Sequence, residues 1–109
     1  MIDLRHYLTA SGKDLFEEWL DSLRDAKAEA RIAARLNRLA AGNFGDCKHL
    51  QEGVSELRID WGPGYRVYFT MIGRTCVLLL GGGDKRRQSA DIERAVRCWR
   101  DYQRRGEKR

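Results

Sequence analysis

Five cations follow one another at the ends of consecutive β-type segments. Arg58 and Arg66 lie on alternating runs either side of Gly62-Pro63-Gly64, and Lys85, Arg86 and Arg87 come directly after Gly81-Gly82-Gly83-Asp84. Of the 21 basic residues 16 are arginine, whose planar fork suits phosphate better than the compact ammonium of lysine. Held in place on a sheet, such groups would stabilise the negative charge that builds on phosphorus oxygens when a 2′-hydroxyl attacks a phosphodiester. Glu56, Asp60 and Asp84 are the neighbouring carboxylates. Each either accepts the 2′-hydroxyl proton or orients an arginine. The candidate catalytic set is therefore Arg58, Arg66, Lys85, Arg86 and Glu56. Tyr68, on the same parity as Arg66, would stack on a base or donate a proton.

Other chemistries find little support. His6 and His49 are isolated in sequence, and Cys47, Cys76 and Cys98 have no C-x-x-C spacing, so neither a metal site nor a disulfide framework is expected. Gly81-Gly82-Gly83-Asp84-Lys85 lacks the G-x-x-x-x-G-K-[ST] spacing of a nucleotide-phosphate loop. The glycines are expected to make a sharp strand-to-helix bend or to let a ligand approach the backbone. No cofactor is expected. The first residues have no apolar leader core, and the longest apolar run, Cys76 to Leu80, is too short for a membrane span. These features, with three unpaired cysteines, lead to the expectation of a cytoplasmic protein without membrane contact.

The elements that must position the cations follow from periodicity. Residues 2–8 read as a short strand, with Thr9 or Ser11 as a helix cap. Leu15, Phe16, Trp19, Leu20 and Leu23 fall at helical spacing within Lys13 to Leu23, and Ile32, Leu36 and Leu39 do so within Asp25 to Ala41, which Gly42-Asn43 should stop. From Val54 the period becomes two. A three-residue turn pairing Trp61 with Tyr65 would keep apolar residues opposite apolar ones and set Arg58 opposite Tyr68 and Asp60 opposite Arg66. Thr75 to Leu80 reads as a central strand and Ser89 to Arg104 as a final helix, with a frayed tail from Gly106. A single α+β domain over residues 1–109 results, in the order β-α-α-β-β-β-α. Its helices are expected on one face of a mostly antiparallel sheet, leaving the other face partly open.

Charge is unevenly spread over the net +5. Residues 1–84 carry a net −1 and residues 85–109 a net +6, so the excess lies after the glycine run. Arg94, Arg97, Arg100 and Arg104 recur every three to four residues and, with Arg105, would form a basic stripe on the last helix, extending a nucleic-acid footprint from Arg87. Arg87, Arg94 and Arg97, together with Tyr68, are the candidate nucleic-acid-binding residues.

Three segments carry a resemblance: Gly53-Val54-Ser55-Glu56-Leu57-Arg58-Ile59, Gly62-Pro63-Gly64-Tyr65-Arg66-Val67-Tyr68, and Leu80-Gly81-Gly82-Gly83-Asp84-Lys85 followed by Gln88 and Asp91-Ile92. Together they resemble the HigB-like addiction module killer branch of the RelE/ParE toxin superfamily. The resemblance implies a RelE-like fold and a toxin neutralised by a cognate antitoxin, usually of helix-turn-helix type. It also implies mRNA cleavage on the ribosome by metal-independent 2′-hydroxyl attack. By motif position, Arg66 corresponds to the arginine implicated in phosphate stabilisation, Arg58 to a basic strand residue near the base function, and Arg86 to the basic residue past the last strand. RelE itself carries a base-stacking tyrosine where this chain has Ile92, so its acid and base roles do not transfer intact. Two alternatives stand beside this one: a non-enzymatic, ParE-like inhibitor of DNA gyrase, and an RNA-binding module without toxicity.

Overall fold

The computed structural model describes residues 1–107. The chain runs β1 (Asp3–His6), α1 (Leu15–Ser22), α2 (Ala26–Ala40), β2 (Cys47–His49), β3 (Val54–Ile59), β4 (Tyr65–Ile72) and β5 (Cys76–Asp84). A 3-10 turn at Lys85–Arg87 then leads into α3 (Gln88–Glu107). The expected α+β class and the mostly antiparallel sheet are observed. The sheet has five strands in the order β1-β5-β4-β3-β2, with β1 parallel to β5 and all other pairs antiparallel. Strand β2 was not foreseen. It has three residues, too few to display an alternation.

Both early helices begin at aspartate caps. Asp14, rather than Thr9 or Ser11, caps α1 by accepting from the Glu17 N–H, while Thr9 accepts from the Lys13 N–H in the preceding loop. Asp25 caps α2 through the N–H groups of Lys27 and Ala28, an interaction worth ~1 kcal/mol. The stop at Gly42-Asn43 is as expected: Gly42 takes φ +93°, and Asn43 returns a hydrogen bond to the Arg38 carbonyl.

Helices cover both faces of the sheet, which corrects the expectation of one open face. On one side α1 and α2 pack Phe16, Ala28, Ile32 and Leu39 against Leu57, Val67, Phe69, Val77 and Leu79. On the other, α3 packs Ala95, Val96 and Cys98 against Val54, Tyr68, Leu78 and Leu80. Each fully buried aliphatic side chain contributes roughly 1.5–3 kcal/mol relative to exposure, so both layers hold the sheet. An amphipathic stripe on α3 states that the helix must cover something, not which face it covers. The final helix also continues through Gly106, where a frayed tail was expected; Lys108 and Arg109 lie outside the described residues.

Tyr7, just after β1, ties that edge to α3. Its hydroxyl donates to Asp101 Oδ2 at 2.6 Å. Burial, and then this bond, push the phenol up to about 12. The same bond, helped by Arg104 and Arg105, holds the Asp101 carboxyl below the usual carboxylate range. A carboxyl whose folded value is depressed adds stability above its unfolded value and loses it as pH falls through the folded value. Tyr7→Phe should therefore lower the melting temperature at neutral pH, with the gap to the parent closing as acid protonates Asp101. Thermal melts across the acid range check this, and a gap independent of pH would contradict it.

The glycine run continues β5 instead of bending it. A bulge sets Phe69 opposite Leu79 but Tyr68 opposite Gly81, inserting Leu80 as an extra residue and exchanging the parity of the strand beyond it. Gly82 then faces α1 and Gly83 faces α3. A Cβ built on Gly82 would fall well under 3.0 Å from the Trp19 ring, and one on Gly83 closer still to the Asp91 carboxylate. The close approach is by the chain's own side chains.

Candidate functional site

Strand register decides which cations meet. The turn between β3 and β4 spans residues 60–64, so Ile59 pairs with Tyr65 and Arg58 lies directly opposite Arg66. This differs by two residues from the expected pairing. An even shift preserves the faces, and Arg58 and Arg66 share a side as anticipated. Like charges directly opposite on a sheet repel. Glu56, two pairs further along opposite Tyr68 and on the same face, offsets the repulsion: its Oε2 lies 3.5 Å from Arg66 Nε and 4.0 Å from Arg58 Nε.

Glu56 is only 1% exposed and accepts from Gln88 Nε2 at 3.0 Å, at the start of α3. Buried and already bonded, it serves to orient Arg66. Arg66 is 7% exposed and donates through Nη1 to the Tyr65 carbonyl at 3.2 Å, but among the described residues its Nε finds no hydrogen-bond partner. The 3.5 Å approach to Glu56 is an ion pair without hydrogen-bond alignment. A guanidinium so placed has lost much of its hydration, and its unpartnered Nε is itself buried and turned to Glu56.

Arg58 is half-buried and is held by Asp46, whose Oδ1 accepts from Nε at 3.1 Å and Nη2 at 2.8 Å. Arg35 of α2 anchors the same corner by donating to the carbonyls of Arg58, Phe44 and Asp46. The stem of Lys85 lies across Gly64, where a Cβ would come within 3.2 Å of three of its carbons; the φ of +81° there also favours glycine. Asp46, Arg58, Asp60, Gly64, Arg66 and Lys85 together line an open cleft of about 300 Å³.

The remaining expected site residues go elsewhere. Arg86 turns back to Asp84 at 2.8 Å, which with its hydrogen bonds holds the Asp84 carboxyl below the usual range. Arg86, Arg87 and Arg94 line a second cavity of about 690 Å³ on the other side of the β5 terminus, with Trp19, Tyr65 and Asp91. The five cations thus do not converge: three line the cleft, and Arg86 and Arg87 leave it. Arg97 is exposed in a separate depression on α3 beside Glu93 and Arg100. The stripe on α3 is largely neutralised, since Arg94 pairs with Asp91, Arg100 with Glu52, and Arg104 and Arg105 with Asp101.

Tyr68 is 0% exposed beneath α3, which removes it as a base-stacking surface. Among the described residues its hydroxyl has no hydrogen-bond partner, and burial, with Glu56 and Asp91 nearby, pushes its ionisation up. His6 is not isolated: its Nδ1 lies 2.7 Å from Asp14 Oδ2, and with Glu17 the three bring ligand-capable atoms within 4.8 Å. Asp14 is engaged as the α1 cap, and this group lines neither cavity. Asp46 was missed because nothing in the sequence marks β2. Gln88 was noted as part of a motif, without a role.

Because the Asp46–Arg58 pair is half exposed, Asp46→Ala should change stability by less than ~1 kcal/mol. The same substitution frees Arg58 and should tighten binding of single-stranded RNA. Denaturant titration with fluorescence anisotropy checks both, and weaker RNA binding would contradict the assignment of Arg58 to an anion site.

A family model described as phage derived protein Gp49-like (DUF891) matches residues 18–99. A protein of Haemophilus influenzae (strain ATCC 51907 / DSM 11121 / KW20 / Rd), described as an uncharacterized protein, is 50% identical over 80 residues, which is 73% of this chain and 81% of that relative. The fold and the cationic cleft thus sit in a chain that belongs to the Gp49-like phage-derived family, a toxin-like family related to addiction systems. Among the described residues no helix is long and apolar enough to cross a membrane.

Proposed function

We propose that this protein is the toxin of a toxin–antitoxin pair and an endonuclease that cuts mRNA on the ribosome. The observation that supports the reading is Arg66: a nearly buried guanidinium that lines an open cleft, backed by Glu56 and flanked by Arg58 and Lys85. In the proposed reaction the 2′-oxygen of a nucleotide attacks the adjacent phosphorus and the bond to the 5′-oxygen breaks. The products are a 2′,3′-cyclic phosphate and a 5′-hydroxyl end. The 2′-hydroxyl proton passes to a carboxylate at the rim, for which Asp60 and Asp46 have the access that Glu56 lacks. In this reading Arg66 and Arg58 stabilise the charge on the phosphoryl oxygens, and Lys85 gives the departing 5′-oxygen the proton that makes it a hydroxyl, regaining one from solvent. Glu56 is a positioning residue.

The family's relation to addiction systems supports a cognate antitoxin as partner, and the resemblance to HigB-like toxins supports one of helix-turn-helix type. The reading is tested with purified protein added to a translation mixture programmed with a defined mRNA. Cleavage that requires translating ribosomes and leaves 5′-hydroxyl ends is expected. Intact mRNA would overturn it.

A further inference from the structure

The cations of α2 behave differently from those of α3. At about 100° per residue, Lys27, Arg31, Arg35 and Arg38 fall within an arc of about 80°. The adjoining arc, at about 100–140° on the same scale, buries Ala28, Ile32 and Leu39. Among the described residues none of these four forms an ion pair with a carboxylate, whereas four of the five α3 stripe arginines do. The only acid within the helix, Glu29, is directed elsewhere by its phase. The guanidinium of Arg31 lies 5.2 Å from the Trp61 ring centroid, and Trp61 with Ala30 and Ala34 forms a shallow apolar shelf between Lys27 and Arg31.

This surface is continuous with the cleft. A depression lined by Arg31, Arg35, Arg38, Asp60 and Trp61 adjoins the shelf, and Asp60 also lines the cleft that holds Arg58, Arg66 and Lys85. We infer that the Lys27, Arg31, Arg38 and Trp61 surface is a second binding site, which takes the backbone of a structured RNA beside the strand held in the cleft. An uncompensated run of cations with an arginine laid on an indole ring suits a phosphate backbone and an adjoining base or sugar. Choosing RNA over another polyanion rests on the RNA-directed reading of the adjacent cleft. Arg35 belongs to the framework, because it holds three backbone carbonyls.

The test is binding of a fluorescein-labelled RNA stem-loop, followed by anisotropy over a salt series. The parent is compared with the triple variant Lys27→Gln, Arg31→Gln, Arg38→Gln, and with a charge-matched triple on α3, Arg97→Gln, Arg100→Gln, Arg104→Gln. Circular dichroism melts confirm that both are folded. The α2 triple is expected to weaken binding and to lower the slope of log affinity against log salt by about 2 to 3, with the α3 triple changing it by less than about 1. Equal losses in the two triples would show that net charge alone matters and would overturn the site. So would displacement of the stem-loop by polyglutamate as effectively as by unlabelled RNA, which would make this an acidic-protein surface. The assay reads binding without cleavage, so its outcome is independent of whether the cleft cuts RNA.

Discussion

Arg66→Lys is expected to relieve growth arrest on induction and to reduce mRNA cleavage by about 10²–10³, the cost of removing one well-placed donor to a developing oxyanion. The choice of lysine matters because Arg66 has a structural role as well. Its neighbour Glu56 is almost wholly buried, and Arg66→Ala would leave that carboxylate without its nearest cation. Breaking a buried pair from one side costs roughly 3–5 kcal/mol, enough to confuse unfolding with inactivity. Lysine keeps the charge and removes the fork. Folding is read by circular dichroism and by capture on the cognate antitoxin, and activity by growth after induction. A folded Arg66→Lys protein with undiminished toxicity would remove Arg66 from the chemistry.

The second large effect is on stability. Gly82→Ala should lower the melting temperature, because its new methyl group meets the Trp19 ring, which must then shift from its packing. Trp19 is set between Phe16 and Tyr65, with ring centroids 6.0 and 6.2 Å away. Overpacking of this kind costs ~1–3 kcal/mol, and in a chain of this size each kcal/mol moves the midpoint by ~4–8 °C. Gly83→Ala collides instead with the tip of the Asp91 side chain. Burial already pushes the Asp91 carboxyl above its ordinary range, so turning it towards solvent recovers hydration. The alanine at Gly83 should therefore be milder. Adding Trp19→Leu to Gly82→Ala should recover part of the loss, a coupling that a double-mutant cycle measures. Additive losses would mean that the clash is relieved some other way.

Parity made the core of the site legible in the sequence. Arg58 and Arg66 could be placed on one face of the sheet from alternation alone, and a two-residue error in register could not move them off it. The bulge at Leu80 was not legible, because three successive glycines carry no side-chain pattern from which to read a change of face. Neither was the partner of Arg58, since Asp46 precedes a three-residue strand without periodicity. Tyr68 was assigned to the same face as Arg66, correctly, but α3 covers that part of the face and buries it. Charge was the least reliable guide. Counting along the chain put the basic excess after Gly83, yet folding brings Glu52, Asp91 and Asp101 to most of the α3 arginines and leaves α2, in the near-neutral part of the sequence, with its cations uncompensated. A linear count does not record which opposite charges become neighbours.

The central claim is that the Arg58, Arg66 and Lys85 cleft cuts translated mRNA. Mapping RNA 5′ ends across the transcriptome shortly after induction, for the parent and for Arg66→Lys, tests it most directly. New 5′-hydroxyl ends within translated coding regions, present with the parent and strongly reduced with Arg66→Lys, are predicted. Growth arrest with intact mRNA and an induced DNA-damage response would contradict the claim and point to a gyrase-directed toxin in its place.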